Sequence, residues 1–143
     1  MKHKVVWALL AVFLLPVGLA YVTLQMGWFT SGANNKGEWV EGNIGQARQW
    51  RLLLPVSDSC SLCGNGRQLL EQVDLALGRD SQRVEVVQLA ASEQLEAGFV
   101  YIADPPGTLI LRYPLSGDPG QSLQIGKALL GDLRRLLKLS RAG

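Results

Sequence analysis

Residues 51–78 read RLLLPVSDSCSLCGNGRQLLEQVDLALG, and the order of patterns in this stretch decides the fold. Arg51 to Val56 is a short apolar run of the kind that forms a buried core strand. Ser57 to Gly66 is rich in turn formers and carries both cysteines of the chain, Cys60 and Cys63. From Arg67 to Leu77 the apolar residues Leu69, Leu70, Val73, Ala76 and Leu77 recur at three and four, which predicts a helix stopped by Gly78. Gly64-Asn65-Gly66 is a poor helix start, so the helix is expected to begin after Asn65, with Asn65 as its N-cap.

Outward from this core the pattern continues. Val84 to Leu89 (VEVVQL) is a second strand, and Ala91 to Ala97 a short helix or a loop. Phe99 to Ala103 (FVYIA), the turn Asp104-Pro105-Pro106-Gly107 and Thr108 to Tyr113 (TLILRY) form a hairpin. Ser122 to Leu139 is a last helix. Its Leu123, Leu129, Leu130, Leu133, Leu136 and Leu137 share an arc, with Lys127, Arg134, Lys138 and Arg141 on a neighbouring arc. We read these as a face packed on a sheet and a solvated face, with contact to anionic lipid headgroups or an acidic partner as the alternative. A strand–helix–strand unit implies a parallel crossover, and the hairpin adds antiparallel strands. The expected fold is therefore α/β: a mixed four-stranded sheet with flanking helices over residues 48–143. Such a βαβ–ββα order, with a cysteine pair after the first strand, is thioredoxin-like.

Ahead of this domain, Val5 to Leu24 contains no charged residue, and the apolar tone continues through Met26 to Phe29. A bilayer core needs about 20 apolar residues in a helix, whereas a cleaved signal peptide has an apolar region of about 7–15. We read residues 5–28 as an uncleaved transmembrane helix, with Pro16 mid-span and Trp28 as an interfacial anchor. Lys2, His3 and Lys4 make residues 1–4 a basic cytoplasmic tail, which places everything after the span outside. In a bacterium that means an inner-membrane, single-pass protein with a periplasmic C-terminal domain. Residues 29–47 read as a tether, Gly/Asn-rich over Thr30 to Gly37 and hard to assign over Glu38 to Gln49.

Composition narrows the chemistry. The chain has 143 residues, is 48% hydrophobic with a mean hydropathy of +0.13, and balances 14 Lys+Arg against 12 Asp+Glu. Disorder is excluded by the apolar content, and a net charge of +2 gives no support to nucleic-acid binding. His3 is the sole histidine, so no Ser/His/Asp triad can be assembled in the outer domain. Asp58 lies close to Cys60 in sequence, where capping a turn is its expected work. The Cys60-Ser61-Leu62-Cys63 motif lies where a strand hands over to a helix, and a helix start stabilises a thiolate. Closing a four-residue loop stabilises a fold by roughly 2 kcal/mol, against about 4.7 for a long loop, so the spacing favours chemistry over stapling. Two thiolates without an imidazole suit Cu(I) and do not make a tetrahedral zinc cage in one chain.

Strand one, Cys60-Ser61-Leu62-Cys63, the Phe99 to Gly107 turn region and the Leu109 to Tyr113 strand together resemble Sco/SenC-type proteins. Those are membrane-anchored thioredoxin-like factors that help load copper into cytochrome c oxidase. With Asn34-Asn35-Lys36-Gly37 and the ending Asp132 to Arg141 included, the whole chain looks like the small single-span proteins encoded beside cytochrome c oxidase genes in proteobacteria. The resemblance places Cys60 and Cys63 at the copper/redox pair. It implies copper(I) as cargo and oxidase subunits or their assembly factors as partners, besides the lipid bilayer. The chain departs from the Sco pattern in spacing its pair by two residues rather than three and in lacking a late histidine. The expected function is an accessory or assembly factor for cytochrome c oxidase, acting through the pair on copper or partner thiols. The alternatives are a membrane-tethered periplasmic thiol–disulfide oxidoreductase, with Cys60 attacking and Cys63 resolving, and a structural membrane protein with incidental cysteines.

Overall fold

A computed structural model describes residues 2–26 and 35–141 and divides the chain into two units, Met1–Asn34 and Asn35–Gly143. The first unit holds one helix, α1 (Lys2–Gln25), of 24 residues. At about 1.5 Å per residue it is roughly 36 Å long, which exceeds a bilayer core of about 30 Å. From Val5 to Val22 its side chains are predominantly apolar all round, and it is long and apolar enough to cross a membrane. Pro16 lies inside it and leaves one carbonyl a turn earlier without an amide donor. Residues 27–28 at the end of the expected span, Trp28 among them, and the part of the expected tether over 29–34 lie outside the described residues.

The second unit is a mixed sheet with two helices. In chain order it comprises β1 (Glu38–Trp39), β2 (Trp50–Val56), α2 (Cys63–Leu77), a 3-10 turn (Gly78–Arg83), β3 (Val84–Ala90), β4 (Phe99–Ala103), β5 (Leu109–Pro114) and α3 (Pro119–Leu139). The strand order is β1-β5-β4-β2-β3. β2 pairs parallel with β3 and antiparallel with β4, and the β4/β5 and β5/β1 pairings are antiparallel. The parallel pair is the crossover the sequence implied, and the hairpin closes where expected. Asp104 accepts the Gly107 and Thr108 amides at 2.9 and 2.7 Å, and Gly107 takes φ +101° beneath the Gly45 backbone, where a Cβ has no room.

Three expectations need correction. The sheet has five strands rather than four, because the two-residue strand β1 extends its edge. Two residues are too few to carry periodicity. β1 is held instead by Arg112, which donates to both Glu38 carboxylate oxygens at 2.8 and 3.1 Å, and by Val40 N–H on the Ile110 carbonyl at 3.1 Å. The second compact unit therefore includes 35–47, with Ile44 and Ala47 amides donating to the Gly107 and Pro105 carbonyls. Next, α2 begins at Cys63, so Asn65 sits within its first turn and is not its N-cap. Last, α3 begins at Pro119, ahead of Ser122: Asp118 caps it by accepting the Gln121 amide, and Pro119 suits the first turn because its missing N–H costs nothing there. Residues 91–98 form a loop, the second of the two forms expected for Ala91 to Ala97.

Alternation along the strands sorts the core into two layers. Leu52, Leu54, Val100, Ile102, Leu111 and Tyr113 face α2 and α3, which bury Leu69, Leu70, Val73, Leu129, Leu133 and Leu137 among them. The other face carries Leu53, Tyr101, Ala103 and Leu109. Among the described residues of this unit, Leu95, Val40 and Ile44 from the flanking loops pack on it. Of the leucines placed on the α3 arc, Leu123 is exposed, while Lys127, Arg134, Lys138 and Arg141 all face solvent.

Among the described residues of this unit, one charged side chain is buried. Asp132, 2% exposed, accepts three donors on one oxygen: Lys36 N–H at 2.8 Å, Gly37 N–H at 3.0 Å and the Tyr113 hydroxyl at 2.7 Å. Burial, with the hydrogen bond to Asp132 second, pushes the Tyr113 hydroxyl far above its ordinary pKa. The unfolded chain therefore loses this proton first as pH rises past about 10. The stabilisation is complete below that pH and declines above it, by up to about 1.4 kcal/mol per pH unit. Tyr113→Phe is expected to cost about 1–3 kcal/mol at neutral pH, since Asp132 loses a donor, and to flatten the alkaline decline. Urea unfolding of both chains in detergent from about pH 8 to about pH 11 measures this; equal alkaline slopes would refute it.

Candidate functional site

The site is built at the end of the central strand. β2 is hydrogen-bonded on both edges, and Leu52, Leu53 and Leu54 are at most 1% exposed. Its last residue, Val56, hands the chain to a turn in which Cys60 N–H donates to the Ser57 carbonyl at 3.0 Å. Cys63 then opens α2. Leu62 is the N-cap and supplies no side-chain hydrogen bond; its carbonyl accepts Gly66 N–H at 3.0 Å. The amides of Cys63, Gly64 and Asn65 thus stand at the free end of the helix, where they favour negative charge.

Gly66 sets how closely α2 approaches the sheet. A Cβ there would fall 2.8 Å from the Cδ1 atoms of both Leu54 and Leu115. The glycine lets the first turn lie down on β2, and this brings Cys63 Sγ to 3.5 Å from the Pro55 carbonyl oxygen. Cys60 and Cys63 are joined in a disulfide, with Cα atoms 5.6 Å apart. Both are half-buried.

The two sulfurs have different surroundings. Cys60 lines a shallow groove of about 210 Å³ with Ser57, Ser59, Ser61, Leu62, Ala97 and Gly98, and Cys63 is not among its lining residues. The far wall is the loop before β4. There Gly98 takes φ +93°, its would-be Cβ position opens to free space, and its carbonyl accepts Leu115 N–H at 2.8 Å. Asp58 is exposed and does not line the groove. Among the described residues no cluster of three or more His, Cys, Asp or Glu side chains is placed to hold a metal ion. His3 belongs to α1, in the other unit.

The structure thus brings together the two residues singled out from sequence, and places them half-buried beside solvent. Three contributors went unread. Gly66 and Gly98 act through close approach and positive φ, which a single sequence does not display. Asp132 left a signal: it lies three residues after Leu129 and four before Leu136, an acid inside the apolar arc of α3. Comparison with protein-family models, with curated proteins and with solved structures finds no match to this chain.

The asymmetry has a measurable consequence. After reduction, the Cys63 thiol has the Pro55 carbonyl as acceptor, whereas Cys60 opens on the groove. Limiting iodoacetamide should alkylate Cys60 at least about tenfold faster than Cys63, since access and thiolate character govern the rate. Peptide mass spectrometry over a time course measures the ratio; equal labelling would contradict the assigned roles.

Proposed function

We propose that the chain is a membrane-anchored, thioredoxin-like protein whose Cys60–Cys63 pair exchanges disulfides with partner thiols. The observation that carries this reading is the half-exposed disulfide at the first turn of α2, opening on a groove beside the loop before β4. The topology supports it: a parallel β2/β3 crossover followed by the β4/β5 hairpin, with the cysteines at the junction between the first crossover strand and its helix, Cys60 in the turn and Cys63 opening α2. The anchoring reading is supported by α1, and the inside-to-outside orientation by Lys2, His3 and Lys4 at its start. A bacterial periplasm is a compartment in which such a pair stays oxidised.

The exchange runs through a mixed disulfide. A partner thiolate attacks Cys60 Sγ along the groove; the Cys60–Cys63 bond breaks and its electron pair leaves on Cys63, beside the free amides of the first turn. Cys63 takes up a proton and can then donate it to the Pro55 carbonyl. A second partner thiolate attacks the partner's sulfur in the mixed disulfide and releases Cys60. The partner is oxidised by two electrons and the pair is reduced by the same two.

A second reading, accessory work in cytochrome c oxidase assembly with copper as cargo, is favoured by the donor set. Reduced Cys60 and Cys63 give two soft thiolates with no nitrogen donor in the compact unit, which fits Cu(I) and not Cu(II).

Two variants test the first reading. With oxidised glutathione, Cys63→Ser should accumulate a mixed disulfide at Cys60, while Cys60→Ser should form its own at least about tenfold more slowly. Equal rates, or a wild-type disulfide that reduced glutathione opens only in denaturant, would sink it. Copper titration tests the second: the reduced chain should bind about one Cu(I), and the double Cys→Ser chain none.

A further inference from the structure

The two edges of the sheet are built differently. At one edge β1 is two residues long, carries Glu38 and is followed by Gly42 and Gly45. A short, charged strand offers little to an incoming chain. At the other edge β3 runs for seven residues in unbroken register with β2, from Trp50↔Val84 to Val56↔Ala90. It contains no proline, glycine or basic residue, and Glu85 is its one charge. The usual defences of an edge strand are missing from it.

The hydrogen bonds to β2 show which backbone groups stay open. Ala91 N–H donates to the Val56 carbonyl at 3.0 Å. In a parallel pair, alternate residues turn both polar groups toward the neighbour. Glu85, Val87 and Leu89 therefore turn theirs to β2, and Val86, Gln88 and Ala90 turn theirs outward. The row is closed at both ends, because the Ser81 carbonyl accepts Val84 N–H and the Leu95 carbonyl accepts Ser92 N–H. Among the described residues, none pairs with the outward groups of Val86, Gln88 and Ala90, and all three residues are exposed. Beside them lies a hollow of about 270 Å³ lined by Leu54, Leu70, Val86, Arg67, Glu71 and Gln88.

We propose that β3 pairs antiparallel with β3 of a second copy of this chain. One register uses every open group. Positions 86, 88 and 90 map onto one another only under a two-fold axis through Gln88, which sets Val86 against Ala90 of the second copy and Gln88 against its own counterpart. Each directly bonded antiparallel pair exchanges two hydrogen bonds, so all the outward groups are met. The same register sets half-buried Val87 against Leu89, an apolar contact on the Leu53 face, and Glu85 against Ala91, so no like charges meet along the seam. On the helix side the axis reverses the order of Arg67 and Glu71, which turns unlike charges of the two α2 helices toward each other. Such a contact is isologous and closes at two copies. Both disulfides stay accessible, since the Cys60 groove is walled by the loop before β4, on the side of β2 away from the seam.

The test uses the full-length chain in detergent. Gln88→Cys, in a chain whose Cys60 and Cys63 are both Ser, places two sulfurs on the axis, with Cα atoms about 5.5 Å apart and within disulfide reach. Glu85→Cys in the same background leaves the two positions about 20 Å apart along the seam. Mild oxidation should crosslink the Gln88→Cys chain at least about tenfold faster, read on a non-reducing gel. In the wild-type background Gln88→Pro removes an outward N–H that β2 does not use, which an edge strand tolerates. Val86→Lys leaves the backbone intact and puts a charge at the seam. Light scattering should show a dimer for the wild type and a monomer for both variants, with far-ultraviolet circular dichroism unchanged. A monomeric wild type, equal crosslinking at positions 85 and 88, or a dimer that survives Val86→Lys and a folded Gln88→Pro would overturn the proposal. Each of these results leaves the exchange reading as it stands.

Discussion

The site depends on β2 having a neighbour on each edge. A strand paired parallel with β3 and antiparallel with β4 has no freedom of register, because a one-residue slip would turn Leu52 and Leu54 away from the helices and Leu53 away from the opposite layer. The end of the strand at Val56 is thereby fixed against both partners. Everything at the site follows within ten residues of that end: the Ser57–Leu62 turn, the disulfide, and the close seat of Gly66 under Leu54 and Leu115. Cys63 meets the Pro55 carbonyl because strand end and helix start are held by the same packed layer.

A second constraint acts at the other edge. A buried carboxylate is costly unless its lone pairs are met, and Asp132 meets three donors, two of them amides from the segment that precedes β1. Losing any one leaves charge in a poor dielectric, so α3, β5 and residues 36–37 are coupled more tightly than their short contact suggests. Arg112 does similar work at the surface. It pairs with Glu38, approaches Glu96 at 3.6 Å and lies 4.5 Å from the Phe99 ring centroid, which ties β1 to β5 and to the start of β4. It also holds the Glu38 carboxyl below its usual pKa.

Long apolar periods were readable, and short or singular features were not. Leu52 to Leu54, buried on both faces, wrote an uninterrupted apolar run; Leu69, Leu70, Val73 and Leu77 wrote a helical one. Phe99 to Ala103 and the Asp104–Gly107 turn carried strand and turn chemistry side by side. By contrast β1 is two residues long and owes its place to Arg112, 74 positions away. The start of α2 misled because Gly64 and Gly66 weaken helix propensity. Tertiary packing overrode that penalty, since Gly66 is the one residue small enough for its seat under two leucines. At the site the sequence displayed the two sulfurs but not their inequivalence, which depends on Pro55 and on the loop at Ala97-Gly98.

That inequivalence is what the proposed exchange uses and a stabilising staple does not need. A bridge kept for stability would gain nothing from opening one sulfur to solvent, and a loop this short constrains the unfolded chain little. Here Cys60 borders a groove whose other walls are serine side chains, Leu62 and the Ala97-Gly98 loop, with no titratable group besides the cysteine. The local electrostatics then come from the backbone. The first-turn amides favour negative charge as the bond opens, and the Pro55 carbonyl lies 3.5 Å from Cys63 Sγ. In the exchange we propose, direction follows from that arrangement: a thiolate arriving along the groove reaches Cys60 first, and the sulfur it displaces is the one beside the first-turn amides and the Pro55 carbonyl.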